Sequence, residues 1–93
     1  MIDKLEELFS DDIILKDWSI YSEGKKEVLN SISEIYKNVE SIEVVSFGNY
    51  YEENLTVCCE ISIKINKTDI INVVDIITFD NFGKIKKIKA YKQ

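Results

Sequence analysis

Two aspartates stand where this sequence could support acid–base chemistry. Asp75 lies inside Val73–Phe79, VVDIITF, the most apolar stretch of the chain. If that stretch is a strand, Val73 and Ile77 flank Asp75 on its own face. A carboxyl so placed loses hydration, which raises its pKa, and a neutral carboxylic acid can donate a hydrogen bond. All 12 basic residues are lysines and there is no histidine, so only a lysine could pair with Asp75 inside the chain. Asp17 follows the β-prone Ile13-Ile14-Leu15 and, in an extended chain, points the way Ile13 and Leu15 do. Ionised, it could take a proton from a carbon beside a carbonyl. Read by itself, Asp17 is first an ordinary turn cap or a solvated acid, as most aspartates are.

Composition narrows the chemistry further. Without histidine there is no histidine-based triad and no histidine-ligated metal, and no cofactor is implied. Without arginine there is no guanidinium fork for a phosphate or carboxylate. A net charge of −5 argues against nucleic acid as a partner. Cys58 and Cys59 are adjacent, so in a strand they face opposite ways and cannot chelate one metal together. No apolar run approaches the ~20 residues of a membrane span. The N-terminus lacks the apolar centre of a signal peptide, so a cytoplasmic location is expected. Ninety-three residues, 1–93, read as a single domain.

The elements that must position the two aspartates follow from periodicity. Asp3–Ser10 reads as a short helix, with Ile2, Leu5, Leu8 and Phe9 on one face and an Asp3–Glu6 capping box. Ser19–Glu23 reads as polar loop. Gly24 then opens the best helix, to Asn38, with Val28, Leu29, Ile32, Ile35, Tyr36 and Val39 in one stripe. From Ser41 the period becomes two. A phase slip after Val44 indicates a bulge, and Leu55–Ile65 alternates cleanly. Ile70–Phe79 is apolar on both faces, so both faces need cover. One should meet the helix; the other, with Val74 and Ile76, suggests a homodimer through the outer sheet face. After the turn Asp80–Gly83, the odd Ile85–Ile88 spacing predicts a second bulge. The lysines around it read as the charges of a soluble, aggregation-guarded strand.

The segment VVDIITFDNFGKIKKIKAY resembles the C-terminal hairpin of the nuclear transport factor 2-like superfamily, which includes ketosteroid isomerases and SnoaL-like cyclases. The shared pattern is Asp75 in an apolar strand, Phe79 four residues on, Gly83-Lys84-Ile85 at the turn, and Ala90-Tyr91. LFSDDIILKDW, followed by Gly24 and an apolar helix, looks like a second block of the family. The resemblance implies an α+β, cystatin-like fold. Its cone-shaped, curved, antiparallel four-stranded sheet would pack on two helices around an apolar pocket. It puts Asp17 at the position of the general base and Asp75 at that of the protonated acid. Trp18, Tyr36, Cys59, Val73, Ile77 and Ile88 are the expected pocket lining. The family's first helix, which carries a catalytic tyrosine, has no counterpart here, so Tyr21, Tyr36 or Tyr50 is left as the second donor. The expected ligand is small and apolar, bound with or without carboxylate-mediated proton transfer; the other expectation is a non-catalytic interaction or dimerisation module.

Overall fold

The core forms where the long amphipathic helix meets the first strand. A computed structural model describes the backbone of residues 2–93 and the side chains from Leu5 onward. The side chains of Ile2 and of Asp3, the cap of the expected box, therefore lie outside the described ones. The elements are α1 (Ile2–Leu8), β1 (Phe9–Lys16), β2 (Tyr21–Glu23), α2 (Lys25–Lys37), β3 (Ile42–Glu53), β4 (Thr56–Ile65), β5 (Asp69–Phe79) and β6 (Ile85–Lys92). Phe9, Ile13 and Leu15 of β1 pack with Val28 of α2, and Leu5, Ile20, Leu29, Ile32, Ile85 and Ile88 close around them. Ile13 and Val28 are fully buried. Burying side chains of this size stabilises by roughly 1.5–3 kcal/mol each.

Gly24 joins the two core elements. Its φ of 90° is one that side chains resist, and its amide donates to the carbonyl of Ile13 at 2.7 Å. Its own carbonyl accepts the first helical bond, from Val28 at 2.9 Å. Glu27 then sits in the first turn of α2 and Lys37 in the last, the order that suits the helix dipole.

The α+β class with two helices agrees with expectation, but the sheet does not have four strands. It has six, ordered β2-β1-β6-β5-β4-β3, and it is curved and not closed. Strands β3 to β6 form the expected antiparallel four strands, as a meander. The two extra strands come from segments with weak local signals. Phe9 and Ser10, expected in the first helix, open β1 instead, because Phe9 pairs with Ile85 and is buried there. Tyr21–Glu23, expected as loop, pairs antiparallel with β1. That pairing uses backbone groups and leaves no apolar alternation to read. Strand β1 runs parallel to β6, so the sheet is mixed rather than wholly antiparallel. The register shifts between Phe9 and Ile14, which accommodates the acidic Asp11-Asp12.

The two expected bulges are present, as register shifts between Val44 and Ser46 and between Thr78 and Phe79, where Lys86 is the extra residue on β6. A further shift, between Phe47 and Tyr50, was not expected. Bulges of this kind bend a sheet. One reading of the lysines is corrected: β6 is paired on both sides, by β1 and β5, so its charges do not guard an edge.

Candidate functional site

Register sorts the sheet residues into two faces. Leu15 packs with α2, and its partner Ile88 joins that core, so their side is the helix-bearing face. Ile88 pairs with Ile77, and Asp75 lies two residues from Ile77 on the same face. Asp75 pairs with Ala90 on one side and Cys59 on the other, and Cys59 pairs with Tyr50. The result is a row across the sheet: Tyr50, Cys59, Asp75, Ala90.

Asp17 lies beyond the paired end of that row. β1 pairs with β6 through Leu15–Ile88 and Lys16–Lys89, and one further step sets Asp17 beside Ala90. Asp17 and Ala90 also line one cleft. Asp17 thus lies just past the end of β1, one strand beyond Ala90, the β6 partner of Asp75.

Their environments differ. Asp75 is half-buried between Val73 and Ile77, and among the described residues no donor or cation reaches its carboxylate. Burial alone pushes its pKa up. Asp17 closes a turn. Its Oδ1 accepts the amides of Ser19 at 2.8 Å and Ile20 at 2.7 Å, and the Ser19 hydroxyl at 3.4 Å. Its own amide donates to the Ile20 carbonyl at 2.9 Å. This is the turn-capping geometry of an aspartate. It fixes Oδ1 and leaves Oδ2 without a donor among the described residues.

The expected lining residues divide. Val73, Ile77, Ile88 and Cys59 share the face of Asp75, and Val73 is buried. Trp18 lines the cleft that holds Asp17. Tyr36 lies near the end of α2 and is about half exposed. Cys59 stands directly beside Asp75, with Cys58 on the opposite face; both thiols are free and half-buried. Of the three candidate tyrosines, register brings only Tyr50 into the row of Asp75. Tyr21 lies on the far edge, where its hydroxyl donates to Glu23, a bond that raises the Tyr21 pKa. The phase slip was visible in the sequence, but its size was not, and that size decides which face Tyr50 takes.

The helix-bearing face is covered unevenly. α2 packs on β1 and β2. Over β3 the face is open: Val44 is 50 % exposed, Phe47 70 % and Tyr50 68 %. The clearest concavities lie elsewhere and none includes Asp75. A cleft of about 180 Å³ lies at the ends of β1 and β6. One of about 250 Å³ involves Gly48, Glu60 and Asn72, and one of about 410 Å³ borders the β3–β4 turn. No described helix is long and apolar enough to cross a membrane.

No protein-family model matches the sequence, and no curated protein matches it. Solved structures do. A proposed isomerase of the SnoaL-like family from Agrobacterium tumefaciens superposes with a TM-score of 0.88 at 11 % identity, covering 99 % of this chain and 80 % of that one. A nuclear transport factor 2-like protein of unknown function from Burkholderia pseudomallei gives 0.85 at 10 % identity, covering 99 % and 78 %. A steroid delta-isomerase from Pseudomonas aeruginosa gives 0.77 at 16 % identity, covering 99 % and 67 %. At such identities the likeness is one of fold, and the chain has the nuclear transport factor 2-like fold.

Proposed function

We propose that the helix-bearing face binds a small, largely apolar carbonyl compound, with Asp75 in its neutral form donating a hydrogen bond to the ligand oxygen. The observation that carries this reading is the half-buried Asp75, desolvated between Val73 and Ile77 and without a donor or cation among the described residues. A protonated acid in such a site stabilises charge developing on a carbonyl oxygen. Tyr50 is the second donor, since it lies one strand beyond Cys59 in the same row. Asp17 is the base, with Oδ2 taking a proton from the carbon beside the carbonyl while the turn holds Oδ1. The similarity in fold to a steroid delta-isomerase fits proton transfer at carbon, but a fold hosts many activities and the residues decide.

The test uses cyclic ketones and the matching phenols. Binding followed by NMR should weaken about tenfold or more in Asp75→Ala, the loss of one charge-stabilising hydrogen bond. Exchange of the α-protons of a ketone for deuterium should stop in Asp17→Asn with folding intact. Undiminished binding in Asp75→Ala would sink the reading.

A second reading has its own observation. The exposed Val44, Phe47 and Tyr50 form an apolar surface that suits the apolar face of a partner segment. A second copy of the chain would cover the outer face, where Val74 and Ile76 lie half-buried and Ile70 and Tyr51 exposed. A stoichiometric protein partner with no response to ketones would favour this reading, and a strict monomer in sedimentation would remove the homodimer.

A further inference from the structure

The row behind Asp17, on the other side of the sheet, carries an unbalanced charge. Lys16 and Lys89 are directly opposed across β1 and β6. Like charges so placed repel. Their outer neighbours offer no relief: Lys16 pairs with Tyr21, and Lys89 with Ile76. The nearest acid on β2, Glu23, accepts the Tyr21 hydroxyl. Among the described residues the ion pairs are Lys25–Asp11, Lys37–Glu34 and Lys64–Glu43, so Lys16, Lys89 and Lys92 have none. Because β6 is an interior strand, edge protection does not explain them.

These lysines border a shaped space. β6 runs on through Ala90–Lys92 after its last pairing with β1, at Lys89, and the Asp17–Ile20 turn folds over the gap. The cleft of about 180 Å³ so formed is lined by Lys16, Lys89 and Lys92, by Asp17, and by the rings of Trp18 and Tyr91. Lys92 Nζ stands 5.5 Å from the centre of the Trp18 ring, a cation–π contact that keeps this charge at the aromatic wall. Both rings are half exposed. Three lysines against one carboxylate, which is itself engaged by the turn amides, leave the cleft cationic in a chain of net charge −5.

We infer that this cleft is a binding site for a planar aromatic anion, a carboxylate or phosphate carried on a single ring. The anionic group lies between Lys16 and Lys89, where it removes their repulsion, and the ring stacks on Trp18 with Lys92 alongside. The volume fits one ring, since a cavity of about 150 Å³ accepts benzene. Lysine grips as a point charge without the fixed fork of arginine, so either anion can serve. The site does not use Asp75, although Asp17 borders the cleft.

Trp18 is the only tryptophan, so its indole N–H gives one NMR signal that reports on this cleft. The probes are phenyl phosphate and benzoate, with phenol as the uncharged ring and inorganic phosphate as the ringless anion. At least one of the two anionic rings should shift the Trp18 signal saturably, and whichever binds tighter identifies the charged group. Phenol and inorganic phosphate should each bind about tenfold weaker or less. The double variant Lys16→Gln, Lys89→Gln sits on an exposed face and should keep the wild-type fold by circular dichroism. It should weaken the better anion about tenfold or more, and high salt should weaken it in the wild type. No saturable shift with either anion, phenol binding as tightly, inorganic phosphate matching phenyl phosphate, or unchanged affinity in the double variant would each overturn the proposal. So would single-stranded RNA that displaces phenyl phosphate at far lower concentration.

Discussion

The two halves of the sheet carry similar apolar patterns and treat them differently. Beside α2, the apolar residues of β1 are buried: Phe9, Ile13 and Leu15 form the core with Val28. On β3, Val44, Phe47 and Tyr50 are brought to one face by two register shifts yet stay open. A strand's pattern says which residues prefer cover, not which of them receive it from their own chain. The covered half holds the fold together, whereas the open half, with Asp75 at the boundary, is where the proposed ligand or partner would gain buried area.

Substitutions can break or sharpen that contrast. Ile13→Ala leaves a cavity in the closed half and should cost about 3–4 kcal/mol in urea denaturation, whereas Phe47→Ala in the open half should cost under about 1 kcal/mol. Equal costs would mean that the open face is core after all. Next in size is Asp17→Ala, which removes the acceptor of two short backbone bonds and should cost about 1–2 kcal/mol. Asp17→Asn keeps an oxygen at that place and should lose less than half as much, which is why it separates the turn from the base.

The smallest expected effect has the opposite sign. Burial raises the folded-state pKa of Asp75, whereas the unfolded chain titrates near the ordinary ~3.9. Between those values the folded state holds the extra proton, so stability falls as pH rises through that window and stays lower above it. Asp75→Asn should therefore be more stable than wild type at neutral pH, by under about 1 kcal/mol, because solvent screens a half-exposed carboxylate. The difference should close as pH falls below the ordinary carboxylate value, where both states are protonated. Denaturation midpoints across that range read the trend, and a difference independent of pH would remove burial as its cause.

Local pattern reached some of these features and not others. The helix from Gly24, the β3–β6 meander, its turns and two of its bulges were legible because period and turn chemistry are local. The α+β class was legible with them. The parallel pairing of β1 with β6 was not, because Phe9 finds Ile85 across most of the chain. Tyr21–Glu23 joined the sheet through its backbone, which no side-chain period records. The same long-range register opposes Lys16 to Lys89, moves β6 to the interior and gives its lysines a role beyond edge protection. Asp75 was readable as a desolvated acid from Val73 and Ile77 alone, but its row with Tyr50, Cys59 and Ala90 needed the pairing of four strands.

The most direct test is the titration of the Asp75 carboxyl carbon by NMR in the unliganded protein, assigned by its loss in Asp75→Asn. The expected midpoint lies above the ordinary carboxylate value of about 3.9 and rises further when a phenol occupies the helix-bearing face. A midpoint at or below that value would contradict a desolvated, hydrogen-bond-donating Asp75, and the proposed carbonyl site with it.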